Sequence, residues 1–103
     1  METLTKEIIL QKISENKAEI KKFGVKKLIL FGSYARDEQT EDSDIDFLVE
    51  FEKGREKNVD DYLELLFFLE DTFSKKIDLV KPELIRDFLK SSILGGIQHE
   101  AKI

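Results

Sequence analysis

Val25-Lys-Lys-Leu-Ile-Leu-Phe-Gly-Ser33 and, ten residues later, Asp44-Ile-Asp-Phe-Leu-Val-Glu-Phe51 decide how this chain folds. The apolar run Leu28-Ile-Leu-Phe31 is too short for a helix and stands between Gly24 and Gly32, so Val25–Phe31 reads as a buried strand. Ile45–Phe51 alternates. Ile45, Phe47, Val49 and Phe51 turn to one side, into a core, and Asp44 and Asp46 turn to the other. Along an extended strand those two carboxylates stand roughly 6.5–7 Å apart. Gly32-Ser33, directly after the first strand, makes a turn whose backbone N–H groups can approach a phosphate. Ile77-Asp-Leu-Val80 reads as a third strand with Asp78 in mid-run, although Asp is depleted in strands.

Outward from these strands the pattern is helical. Thr5 to Lys22 carries Ile8, Ile9, Ile13 and Ile20 at helical spacing and is ended by Gly24. Ser33 to Arg36 fits a short helical turn, and the acidic stretch Asp37 to Ser43 a loop. Residues 58–74 form a second long helix with Val59, Tyr62, Leu63, Leu66, Leu69 and Phe73 as its apolar stripe. Pro82 opens a last helix through Leu84, Ile85, Phe88, Leu89 and Ile93, stopped by Gly95-Gly96. The order α-β-(α)-β-α-β-α predicts an α+β fold, a small mixed sheet covered by helices.

Size and charge narrow the functions. The 103 residues allow a single domain, 1–103, with one modest core. Hydrophobic residues make up 41%, enough for a folded globule. Seventeen basic against 22 acidic side chains leave a net charge of −5, which argues against direct binding of long nucleic acid. With no cysteine there is no disulfide framework and no thiolate metal site. The N-terminal residues lack the basic-then-apolar order of a signal peptide, and no apolar run suits a bilayer. A cytoplasmic protein without membrane contact is expected.

The chemistry concentrates on six residues. Gly32 and Ser33 either hold phosphate or merely make a turn in which Ser33 caps a helix. Asp44, Asp46 and Asp78 either hold metal or lie on a solvated sheet edge. Asp46 fits the edge reading poorly, because it interrupts an apolar strand and a buried carboxylate needs a cation or hydrogen bonds. Carboxylates on one face of a sheet can hold a pair of Mg²⁺ ions about 3.5–4 Å apart, as in two-metal phosphoryl transfer. Arg36 fits a phosphate contact or a loop ion pair. His99 reads as a solvated tail residue, and Lys26-Lys27 and Lys75-Lys76 as solvated edges or an attraction for nucleotide. Phe68 lies nearly opposite the apolar stripe, among Asp60, Asp61, Glu64 and Asp71, and reads either as an unremarkable exposed ring or as an anchor for a basic partner.

Phe31-Gly-Ser-Tyr-Ala-Arg36, then Ser43-Asp-Ile-Asp-Phe-Leu-Val49, then Ile77-Asp-Leu-Val80 together resemble the minimal nucleotidyltransferases of the polymerase-beta superfamily. The resemblance is narrower to the antitoxins of HEPN/MNT toxin–antitoxin pairs, and it covers the chain from Val25 to the last helix. It implies the nucleotidyltransferase fold and transfer of AMP from ATP, with two Mg²⁺ ions, to a tyrosine hydroxyl of a HEPN-domain ribonuclease toxin. The chain would then be a type VII antitoxin. By the same resemblance Gly32 and Ser33, with Arg36 beside them, bind the phosphates. Asp44 and Asp46 bind both metals, and Asp78 completes the metal site for the attacking hydroxyl. Asp37 departs from the pattern, since many relatives have Gly there; Asp is among the better replacements at a left-handed position. Two alternatives share the residues: an antitoxin that inhibits only by binding, and a nucleotidyltransferase acting on a small-molecule hydroxyl.

Overall fold

The computed structural model describes residues 3–55, 58–81 and 98–103. Two helices, α1 (Lys6–Glu15) and α2 (Lys17–Lys22), lead into β1 (Val25–Phe31), which runs directly into the single turn α3 (Gly32–Ala35). Strand β2 (Ile45–Phe51), helix α4 (Val59–Phe73) and strand β3 (Ile77–Val80) follow, and a two-residue strand β4 (His99–Glu100) comes last. The sheet order is β3-β2-β1-β4. β1 runs antiparallel to both β2 and β4, whereas β2 and β3 are parallel, joined by α4 as a crossover helix. This is the expected α+β architecture. The expected last helix lies outside the described residues. Among the described residues no helix is long and apolar enough to cross a membrane.

One side of the sheet builds the core. Ile45, Phe47, Val49 and Phe51 of β2 are buried with Leu28 and Leu30 of β1 and Ile77 and Leu79 of β3. β1 would lose its alternation at Lys26-Lys27, but a bulge between Val25 and Lys27 absorbs one residue. Val25 therefore still packs inward. Lys26 and Lys27 lie within the strand with their side chains exposed.

The N-terminal helix is broken where a single helix was expected. At Asn16 (φ −107°, ψ 16°) the side-chain amide donates to the carbonyl of Lys12 at 2.8 Å. Asn competes in this way with regular helix hydrogen bonding. The break still lets Ile9 and Ile13 of α1 and Ile20 of α2 enter one core. Gly24 ends α2 with φ +80°, as its place in the sequence predicts.

Helix α4 lies on the sheet by a stripe that overlaps the expected one at Leu69 and Phe73, with Tyr62 and Leu66 partly buried against the core, but is rotated at its start. Asp61, Leu65, Leu69 and Phe73 are its buried residues, while Val59 and Leu63 are exposed. The carboxylate of Asp61 is tolerated there because Arg55 clamps it, with Nε at 2.8 Å and Nη2 at 2.7 Å from Oδ2. Phe68 is not exposed, as both readings of it required: it packs on Phe23 with ring centroids 5.7 Å apart, and Phe67 beside it is the exposed ring.

Candidate active site

The site forms where β1 ends and β2 and β3 lie side by side. Phe31, the last residue of β1, is the register partner of Asp46, and Asp46 is in turn the partner of Asp78 across the parallel β2–β3 pair. Equal register on parallel strands puts both carboxylates on one face. Asp44 stands two residues before Asp46 and shares that face. Three aspartates from two separate stretches of the sequence therefore meet beside Gly32.

Gly32 fits this place for two reasons. Its φ is +78°, in the left-handed region. A Cβ there would also lie 2.0 Å from Oδ2 and 2.9 Å from Cγ of Asp46, so any side chain would expel the carboxylate. The turn and the aspartate thus occupy one another's space. After Gly32, Tyr34 and Ala35 are buried and anchor α3 in the core, which leaves the partly exposed Ser33 on the open side of the turn. Arg36 caps the turn through its backbone N–H, and its guanidinium meets Glu38 at 3.2 Å. Asp37 has φ +58°, the left-handed conformation inferred from the missing glycine, and its carboxylate is paired with Lys6.

Electrostatics mark Asp46 as the centre. Burial is the main cause that lifts its pKa from 3.8 to about 6. The negative charges of Asp78 and Asp44 and a hydrogen bond with Asp78 push the same way, against the charge of Arg36. Asp44 is less enclosed and leans toward Lys76, whose Nζ is 4.0 Å away. Lys75 ties down the loop before it, donating to the carbonyls of Glu41 (2.8 Å) and Ser43 (3.2 Å). On the other flank, Tyr62 of α4 donates to the carbonyl of Leu79 at 2.6 Å, next to Asp78. Its phenol is pushed up by burial and then by the charge of Asp78.

Among the described residues no three carboxylate, His or Cys side chains converge as a complete ion cage. Mg²⁺ does not require one, since it is held through one or two carboxylates together with waters and substrate phosphates. The hard oxygens of Asp44, Asp46 and Asp78, close enough that the charges of Asp78 and Asp44 raise the proton affinity of Asp46, suit that ion. Gly32 supplies the bare backbone on which a polyphosphate could rest. A cavity of about 690 Å³ lined by Leu4, Tyr34, Gln39, Thr40 and Lys75 contains none of the three aspartates.

The profile of the nucleotidyltransferase domain matches residues 9–98. A protein adenylyltransferase of Thermococcus cleftensis, MntA, is 38% identical over 98 residues, which cover 94% of this chain and 89% of the relative. The chain belongs to the nucleotidyltransferase-domain family. A solved structure provisionally described as a minimal nucleotidyltransferase superposes on this nucleotidyltransferase with a TM-score of 0.76 at 28% identity, covering 92% of this chain and 95% of the other. A toxin–antitoxin structure with AMP-PNP shares the fold, with a TM-score of 0.67 at 22% identity over 90% and 72% of the two chains.

Several residues around the nucleotidyltransferase site were not legible from sequence. His99 is no solvated tail residue: it is half-buried on β4, paired with Leu30, and its Nε2 is 3.3 Å from the carbonyl of Ala35 in α3. Tyr62 was read only as part of an apolar stripe, and Lys75 only as a solvated edge or an attraction for nucleotide; neither bracing role was foreseen. In the fold Tyr62 braces the strand Ile77–Val80, and Lys75 braces the loop before Asp44.

Proposed function

We propose that this nucleotidyltransferase moves AMP from ATP to a tyrosine hydroxyl of a partner ribonuclease toxin of the HEPN class, and so acts as a type VII antitoxin. The observation that carries the reading is the register pairing of Asp46 with Asp78 against the bare backbone of Gly32. The adenylyltransferase relative of T. cleftensis and the AMP-PNP toxin–antitoxin structure with the same fold support the choice of nucleotide and of partner.

Gly32 and Ser33 would hold the β- and γ-phosphates through backbone N–H groups and the Ser33 hydroxyl, with Arg36 adding positive charge at the rim. Asp44 and Asp46 would hold two Mg²⁺ ions, which supply Lewis acidity to the attacking hydroxyl and to the leaving pyrophosphate. Asp78, exposed beside Asp46, would orient the acceptor hydroxyl in line with the α-phosphate. The oxygen–phosphorus bond to AMP forms as the bond to pyrophosphate breaks, and the phenolic proton passes to a site carboxylate or to solvent. Tyr62 and Lys75 act at one remove, holding β3 and the loop before Asp44.

The test is rescue from the toxin at ordinary expression by the Asp44→Asn/Asp46→Asn double variant. A folded double variant should fail to rescue and should transfer no AMP. Full rescue by it would instead favour inhibition by binding alone.

A further inference from the structure

The outer face of α4 carries a feature that the transfer chemistry does not use. The large hydrophobic side chains exposed among the described residues are Val59, Leu63 and Phe67, at 63%, 39% and 60% exposure. They fall at i, i+4 and i+8 of one helix, in a single line on its surface. Exposed apolar residues scattered singly need no explanation, but a contiguous stripe marks an interaction surface. It does nothing for the fold, since α4 is anchored through Leu65, Leu69 and Phe73.

The charge beside the stripe says what covers it. Asp60, Glu64 and Asp71 run along one edge, and among the described residues none of them has an ion-pair partner. Asp61, one position on, is buried and held by Arg55, so the chain neutralises the carboxylate it encloses and leaves the outer edge uncompensated. A second copy of this chain is a poor occupant, because a two-fold contact would set one acidic edge beside the other. Residues 82–97 contain Glu83 and Asp87 against Arg86 and Lys90 and bring no net positive charge. A ribonuclease, by contrast, needs a basic surface to hold an RNA backbone.

We infer that the stripe Val59–Leu63–Phe67 is the docking face for the partner ribonuclease, which meets it with an apolar groove rimmed by Lys or Arg. This rests on the antitoxin reading above and adds the surface to it. It is the helix-in-groove mode, with anchors one turn apart. Because α4 joins β2 to β3, a partner held there sits on the element linking the strands of Asp46 and Asp78.

The probe is the purified product of the neighbouring gene, titrated against the full chain by calorimetry and by association kinetics at several salt concentrations. The Leu63→Ser/Phe67→Ser variant should keep its melting temperature yet bind at least about 30-fold more weakly, as expected for loss of an interface anchor of ~2 kcal/mol. The triple reversal of Asp60, Glu64 and Asp71 to Lys should slow association and abolish its salt dependence. Asp46→Asn should bind like the wild type. Undiminished binding by the serine variant overturns the docking face, and so does a wild-type chain that does not bind the product at all. A wild-type dimer that the serine variant converts to monomer would assign the stripe to a second copy. AMP transfer with undiminished binding of the serine variant would sink the docking face and leave the enzyme reading standing. Stripe-dependent binding without AMP transfer would do the opposite.

Discussion

Replacing Asp46 by Asn should make the ligand-free protein more stable at pH 7 while removing its activity. The carboxyl of Asp46 is shifted from 3.8 to about 6, because burial and the charges of Asp78 and Asp44 disfavour its ionised form. At 1.36 kcal/mol per pKa unit that difference corresponds to about 3 kcal/mol, an upper bound. The side chain is only part-buried, and solvent screening reduces the expected gain to about 1–2 kcal/mol. The sign follows from linkage. With the folded pKa above the unfolded one, the stability tied to protonation is fully present below pH 3.8 and is lost as pH rises through about 6. The wild type should therefore gain stability from this group on going from pH 7 to pH 5, and Asp46→Asn should not. Asn keeps the shape and can donate a hydrogen bond to Asp78. For a domain of this size the gain translates to roughly 5–10 °C in melting temperature at pH 7. Differential scanning calorimetry of both proteins at pH 5 and pH 7, with and without Mg²⁺, reads the effect. Mg²⁺ should raise the melting temperature of the wild type and do little for the variant. An Asp46→Asn protein that melts at or below the wild type at pH 7 would refute the claim that this carboxylate is held at a cost to the fold.

Gly32→Ala should lower AMP transfer at least about 100-fold, because its Cβ needs the space of the Asp46 carboxylate, and a misplacement of about 1 Å is enough for such a loss. Steady-state kinetics should show the fall in kcat, with near-ultraviolet circular dichroism reporting an otherwise intact core. Asp61→Asn should cost about 2 kcal/mol in chemical denaturation, since it leaves the Arg55 guanidinium without its charged partner against α4. Phe68→Ala should cost roughly 2 kcal/mol of stability through its contact with Phe23, whereas Phe67→Ala should stay within about 0.5 kcal/mol. Equal urea midpoints for those two variants would contradict the placement of α4.

The strands were legible because their signals are local. Val25–Phe31 and Ile45–Phe51 are bounded by glycine and by alternation, and Asp46 and Asp78 betrayed a shared site by interrupting apolar runs. The left-handed Asp37 came into view only through the family resemblance, as a condition on the position where many relatives have Gly. Helix α4 was harder. Val59, Leu63 and Phe67 form a second apolar line beside Leu65, Leu69 and Phe73, and helical spacing alone cannot say which line faces the sheet. The buried side includes Asp61, which is paired with Arg55 from the turn before α4, a tertiary contact that helical spacing does not announce. The break at Asn16 depends on a side-chain hydrogen bond that competes with a fair helical pattern. Strand β4 is too short to show any pattern at all, so His99 came to the Ala35 carbonyl without warning.

The central claim is that three aspartates beside Gly32 make this chain a protein adenylyltransferase. Intact-mass spectrometry of the neighbouring gene's product, after incubation with this chain, ATP and Mg²⁺, tests it most directly. The account predicts mass gains on the partner in whole steps of AMP, abolished by EDTA and by Asp46→Asn. An unchanged partner mass in the presence of active, folded chain and a stable complex would contradict it.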